Sequence, residues 1–355
     1  NKPIFVDFYA VWCGPCKAMA AEVFPQKEVG DFYNANFINY KLDMEKGEGP
    51  ALAEKFGITA YPTYVFLGPR GELVHKSMGM KPAAPFIQDG MDALDPSKRL
   101  YSQIARFEKG ERDTAFLYNL IVATDGIAPD TQKEAVKAYW SAVPFQNVTD
   151  GHIWEVFSDY EMDITSPIYR YVSDNLPSLA GQTDSENLYS TYYIKAIGAM
   201  YQASESGDAK LFAKANEILG MMGDDNYLVR HAERGRVYYY LKSGRWDLYS
   251  LSANKYARNM VWYDWQALNE IAWEAYEEVE DQEILALALE WAVRSVELDA
   301  NYANMDTYAA LLYRTGKFRE AEKAAKKAIK LGKKEDADYS TTEILLEMIK
   351  GAQAK

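Results

Sequence analysis

The chain has 355 residues, 48% of them apolar, and a formal net charge of −13. That length exceeds the usual size of one domain and implies two or more, while the acidic balance argues against nucleic acid as a partner, because phosphate binding needs clustered Lys and Arg. No run approaches the roughly 18 consecutive apolar residues of a membrane-spanning helix, and three scattered histidines, His75, His152 and His231, with two cysteines fit no metal-ligand spacing.

The chain opens on Asn1 rather than Met and enters a strand-like run within three residues, which leads to the expectation that something upstream has been removed. A signal peptide, a cloning boundary and preceding disordered residues all fit. "PIFVDFYA" (3–10) is almost continuously apolar, as expected of a strand buried on both faces of a sheet. Helix signals run from Pro15 through Phe24, and "NFINYKLD" (36–43) reads as a second strand. "GPALAEKFG" (49–57) is a short helix that Gly57 ends. "TYVFL" (63–67) and "ELVHKSM" (72–78) are strands joined by the turn "GPRG", and "AAPFIQDGMDAL" (83–94) closes the segment as a helix. The order is β-α-β-α-β-β-α.

Cys13 and Cys16, the only cysteines, fall where the first strand ends and a helix begins. Free N–H groups at a helix start favour negative charge, so this position lowers the Cys13 pKa toward the reactive thiolate. Cys16 lies one turn on, near enough to attack a mixed disulfide on Cys13. Pro15 suits a first helical turn, where its missing N–H costs nothing, and Trp12 shields one side. Asp7 is an ionisable group inside an apolar strand, costly to bury without a role.

"VDFYAVWCGPCK" resembles the active-site segment of the thioredoxin family. The resemblance covers residues 1 to about 96. It implies that Asp7, six residues before Cys13, is buried behind Cys16 and relays its proton, and that Lys41 in "YKLD" pairs with Asp7. It also implies that "AYPT" (60–63) holds a cis Pro62 facing the cysteines and that Met78 and Gly79 form the third wall of the substrate groove. The catalytic set is then Cys13, Cys16, Asp7 and Lys41. Trp12, Gly14, Pro15, Tyr61, Pro62, Met78 and Gly79 form the client-binding surface, and the redox-active cysteine pair stands without cofactor or metal. The family's first strand and helix are expected before residue 3, and are either missing or upstream of Asn1. "EVFPQKEVGDFYN" (22–34) breaks the active-site helix at Pro25, which resembles the branch containing the periplasmic thioredoxin domains of membrane thiol reductases. Tyr61 replaces the aliphatic or Thr residue common before the cis proline.

After "DPSKR" (95–99) helical periodicity dominates, which divides the chain into a thioredoxin-like α/β domain, 1–96, and an all-α helical-repeat domain, 97–355. "MDTYAALLYRTGKFREAEKAAKKAIKL" (305–331) resembles a tetratricopeptide repeat, with a turn at Gly316, Phe318 at the next helix start, and small Ala321 and Ala328 where helices meet closely. A second copy lies thirty-three residues earlier, with Ala288 and Ser295 in those roles, so the repeats are clearest over 265–331. In a looser copy, 237–257, Gly244 and Trp246 take the roles of Gly316 and Phe318, and Tyr249 and Tyr256 replace the alanines. Such repeats stack into a superhelix whose concave face binds partners. The many tyrosines beyond residue 97 either line such a groove or, more simply, pack helix contacts.

A CxxC pair reduces, oxidises or isomerises disulfides according to its redox poise. Gly-Pro between the cysteines offers no histidine to stabilise the Cys13 thiolate further, which favours a protein-disulfide reductase. Two alternatives stand beside it: a helical binding or scaffold protein with an accessory redox site, and a disulfide isomerase. No G-x-G-x-x-G fingerprint comes after any strand, so electrons are expected from another protein. The resemblance to the periplasmic branch implies an exported protein and a membrane thiol reductase as donor; a cytoplasmic protein would use a thioredoxin reductase. Disulfide-containing proteins are the expected clients.

Overall fold

The computed structural model describes residues 2–223 and 226–354. Two compact units divide the chain, Asn1–Glu161 and Met162–Lys355.

The first unit begins with β1 (Ile4–Tyr9), α1 (Gly14–Ala18) and α2 (Lys27–Asn36), followed by β2 (Ile38–Asp43) and α3 (Gly49–Phe56). β3 (Thr63–Leu67), β4 (Leu73–Met78) and α4 (Ala83–Leu94) complete a four-stranded mixed sheet with its helices. Strand order is β2-β1-β3-β4, with β1 parallel to β2 and the other two pairs antiparallel. The central position of β1 explains its nearly continuous apolar run, interrupted only by Asp7, since both of its faces are covered. Phe5 faces one side, in an aromatic core with Tyr33, Tyr64, Phe66 and Phe86, whose Tyr33 and Phe86 rings stack at 4.5 Å. Val6 and Phe8 face the other, against Leu42, Met44 and Val65. Gly57 ends α3 with φ of 58°, a left-handed conformation that glycine adopts without strain.

The helix expected from Pro15 through Phe24 is shorter and irregular. α1 ends at Ala18, Met19–Val23 form a π-helical turn, and the chain bends before α2 at Phe24 and Pro25. Proline at 25 removes a backbone donor, so a regular ladder cannot continue through it.

The change to all-helical structure comes just past residue 96, but the compact unit runs on to Glu161. Helices α5 (Leu100–Glu108), α6 (Thr114–Ala123), α7 (Pro129–Ala142) and α8 (Gly151–Glu155) belong to it. The physical reason is the exposed edge of the sheet. β4 is an edge strand, and α5 packs on it beside α4; His75, Lys76 and Ser77 are each at most 6% exposed, Lys76 donating to the Phe56 and Gly57 carbonyls and Ser77 to Asp89. The backbone N–H of Leu100 donates to Nδ1 of His75 at 3.0 Å. In the α6–α7 turn, Gly126 has φ of 63° and lies so close to Met78 that an added Cβ would stand 2.6 Å from its sulfur.

The second unit holds α9 (Pro167–Ala180), α10 (Ser185–Ser206), α11 (Ala209–Leu219), α12 (Asn226–Lys242) and α13 (Trp246–Met260). Beyond them lie α14 (Trp265–Glu278), α15 (Gln282–Leu298), α16 (Tyr302–Arg314), α17 (Phe318–Glu335) and α18 (Ser340–Gln353). Helices adjacent in sequence pack as pairs, α10 with α11, α12 with α13, α14 with α15, α16 with α17 and α17 with α18, and α10 also packs on α12. Asp208, Asp264, Asp281 and Asn301 cap helix starts by accepting backbone N–H groups, the usual use of these side chains. Gly316 and Gly244 take positive φ between hairpin arms, and Phe318 and Trp246 open the next helices. Ala288, Ser295, Ala321 and Ala328 are fully buried, as small residues at close helix contacts must be. Tyr249 and Tyr256 are buried too, so this layer packs aromatic rings at those positions, beside the fully buried Ala253 and Ala257.

Candidate active site

Cys13 and Cys16 form a disulfide. Cys13 is the N-cap residue of α1: its extended backbone brings β1 into the helix, and its sulfur accepts the Cys16 backbone N–H at 3.1 Å. Pro15 occupies the first helical turn. Both cysteines are buried, in a small cluster with Ala10, Tyr9 and Tyr61, while Gly14 and Pro15 are exposed above them. The same N–H is aimed at the Cys13 sulfur, and a hydrogen bond to a thiolate there would favour the charged form.

Trp12 is 63% exposed and held from two sides. Its Nε1 donates to Glu45 at 2.6 Å, and its ring meets the Tyr61 ring edge-on at 5.8 Å between centroids. The Tyr61–Pro62 peptide is cis. Gly79 donates its N–H to the Pro62 carbonyl at 2.9 Å, and Met78 pairs with Thr63 across β4 and β3. Trp12, Tyr61, Pro62, Met78 and Gly79 thus belong to connected loops and strand ends, and exposed Val11 and Met80 extend their apolar surface.

Asp7 is 4% exposed and lies two residues along β1 from Phe5, on the sheet face covered by the helix that starts at Cys13. Burial pushes its carboxyl up to about 6, an effect that the positive charge of Lys41 partly offsets. Lys41 stands opposite Asp7 in the parallel register of β1 and β2. The two do not form the expected direct pair: among the described residues no Lys41 salt bridge is made, and the Lys41 ammonium lies over the Tyr9 ring, 4.4 Å from its centroid. Lys41 is exposed, and stacking on Tyr9 keeps its charge hydrated while it still acts on Asp7 through space. A cavity of about 240 Å³ opens beside both residues.

One neighbour of the site has no signal in the sequence: Glu45, in the loop after β2, carries no motif to mark it. Among the described residues no group of three His, Cys, Asp or Glu side chains could hold a metal ion, and no helix is long and apolar enough to cross a membrane.

Residues 1–89 match the thioredoxin-like domain family. A thioredoxin-like protein of Synechocystis sp. is 40% identical over 87 residues, which cover 24% of this chain and 77% of that protein. The chain belongs to the thioredoxin family. A thioredoxin of Streptomyces clavuligerus is 37% identical over 91 residues, 25% of this chain and 78% of its own length. Mitochondrial thioredoxin-3 of Saccharomyces cerevisiae is 37% identical over 84 residues, 24% of this chain and 61% of its own. Family and disulfide together make the N-terminal thioredoxin-like domain a thiol–disulfide oxidoreductase module; each relative matches only about the first quarter of this chain.

Proposed function

We propose that the protein is a protein-disulfide reductase. The observation that carries this reading is the Cys13 environment. Its sulfur accepts the Cys16 backbone N–H, and Gly14 and Pro15 carry no side-chain donor. A thiolate so lightly stabilised leaves the dithiol a better electron donor than one held by a neighbouring histidine.

In the proposed cycle the Cys13 thiolate attacks one sulfur of a client disulfide and expels the other as a thiolate, which takes a proton from water. The Cys16 thiol then passes its proton to Asp7, and its thiolate attacks Cys13. The second client sulfur leaves, and the Cys13–Cys16 disulfide forms. The client gains two electrons and the protein loses two. A donor protein restores the dithiol: a membrane thiol reductase if the protein is exported or periplasmic, the location we favour from the Pro25 break, or a thioredoxin reductase in the cytoplasm. Trp12, Gly14, Pro15, Tyr61, Pro62, Met78 and Gly79 form the client surface. Lys41 favours the charged form of Asp7.

The helical unit we read as a tetratricopeptide-like partner- or client-binding domain. Support comes from a polar cavity of about 690 Å³ among α10, α12, α13 and α14, where Arg230 and Arg234 stand beside Tyr201, Tyr238 and Tyr256. A binding protein with an accessory redox site is the second reading, and this cavity favours it. Insulin reduction with dithiothreitol as donor tests the first: turnover is expected in the full chain and its loss in Cys13→Ser. Retained activity in that variant overturns the reductase assignment, and efficient rescue of scrambled ribonuclease would make the protein an isomerase.

A further inference from the structure

Four side chains stand in one row across the sheet. Lys41 of β2 is opposite Asp7 of β1, Asp7 is opposite Tyr64 of β3, and Tyr64 is opposite Ser77 of β4. Side chains in register on neighbouring strands share a face, with Cβ atoms about 5 Å apart. α4 continues the row. Ser77 donates to Asp89 Oδ2 at 2.7 Å, and Lys81 donates to the same oxygen at 2.7 Å. One end meets solvent at the cavity beside Lys41, and the other lines a groove of about 970 Å³ at Ser77, Lys81 and Asp89.

The middle of the row is unusual. Asp7 Oδ1 and the Tyr64 hydroxyl are both buried without a hydrogen-bond partner among the described residues. Each such group costs about 1–3 kcal/mol. Packing does not explain the hydroxyl, because the Tyr64 ring lies among Phe5, Phe24 and Phe86, where phenylalanine would serve as well. Two unpartnered groups of complementary type, a donor and an acceptor, are cross-strand neighbours.

We propose that Tyr64 is a positioning residue for the proton on Asp7. Its hydroxyl donates to the Asp7 carboxylate, directly or through one internal water, while Asp7 is charged, and turns toward Asp89 once Asp7 has taken the Cys16 proton. No bond other than hydrogen bonds changes at Tyr64, and its own proton stays in place; burial and the nearby Asp7 and Asp89 charges hold its phenol above its ordinary range, in the donating form. The inference rests on the proposed reductase cycle. The titratable and charged groups acting on Asp7 and Tyr64 are Lys41 from β2, Tyr33 from α2, and Asp89 of α4 with its partners Ser77 and Lys81; the proposed cycle adds the cysteine pair at the start of α1.

The test is the pH dependence, from pH 5 to 9, of Cys13–Cys16 closure after one turnover of the reduced full chain with a peptide disulfide. Tyr64→Phe is expected to move the acid limb up by about half a pH unit or more, because the charged carboxylate loses a donor. Asp89→Asn is expected to move it down, by removing a neighbouring negative charge, and to move it less in a Tyr64→Phe background. A limb unchanged in Tyr64→Phe, in a protein whose limb Asp7→Asn abolishes, overturns this inference and leaves the reductase reading standing. A limb that survives Asp7→Asn overturns the inference together with the role of Asp7. Absence of any Cys13-dependent closure overturns the reductase reading itself. A purely structural tyrosine would change stability and leave the limb in place.

Discussion

The backbone N–H of Leu100 ends on the imidazole of His75, 3.0 Å from Nδ1, which ties the first helix beyond the sheet to its edge strand. An acceptor nitrogen must be unprotonated, and burial, with the positive charges of Lys81 and Arg99, pulls the imidazole down to about 4. The unfolded chain therefore binds this proton more readily than the folded one. The stabilisation is fully present above the ordinary histidine pKa near 6.5 and is lost as pH falls from there toward 4, to a total of about 3 kcal/mol. Urea unfolding midpoints should drop between pH 7 and 4.5, and His75→Gln should drop less. An equal fall in the variant would remove His75 as the cause.

Asp7 has the opposite sign. Its folded carboxyl titrates at about 6, above the ordinary value of 3.8, so the folded state holds the proton more tightly. The destabilisation is absent below about pH 4 and grows to about 3 kcal/mol above pH 6. Asp7→Asn should therefore raise stability at pH 8, leave it nearly unchanged at pH 4, and slow disulfide closure. Denaturant melts at the two pH values check the first pair of outcomes, and stopped-flow kinetics the third.

Trp12 is exposed yet fixed by Glu45 and Tyr61. A large aromatic surface held in one orientation loses little entropy on meeting a client. Trp12→Ala should raise KM for a protein disulfide several-fold and leave the rate with a small disulfide such as hydroxyethyl disulfide unchanged. Glu45→Gln should give a weaker version of the same pattern. Parallel losses on both substrates would place Trp12 in the chemistry and not in client binding.

Tyr249 is fully buried in the helical unit, and its hydroxyl has no partner among the described residues. Tyr249→Phe should be neutral or stabilising, since an unsatisfied polar group disappears at constant shape. Tyr249→Ala leaves a cavity and should cost about 3–5 kcal/mol. Thermal unfolding of the two variants distinguishes them, and a costly Tyr249→Phe would mean that the hydroxyl is satisfied in solution.

Legibility in the sequence depends on how local each signal is. The strands, the cysteine pair at the strand-to-helix junction, Gly57 as a helix stop and the Gly316–Phe318 turn all depend on residues within a few positions of each other. The π-helical turn at Met19–Val23 and the bend after it were only partly visible, because Pro25 marks a break without saying how the preceding turn relaxes. The resemblance implies a direct Lys41–Asp7 pair; strand register brings the two opposite each other, but the Lys41 stack on Tyr9 is a side-chain choice that register does not determine. Least visible were contacts between distant segments: Glu45 with Trp12, Leu100 with His75, and the polar row from Lys41 to Asp89 have no local signature.

The Gly126 turn beneath Met78 bears on how the molecule can be divided. Glycine there lets a loop of the helical extension rest against the wall beside the cis proline. A fragment cut at the end of the family match would uncover the outer edge of β4, strand the His75 acceptor in water and leave Met78 without its neighbour. Its edge strand would be open to pairing with other copies. A piece that keeps the cover on β4 and the neighbour of Met78 must run past the family match at least through Gly126, within the compact unit Asn1–Glu161.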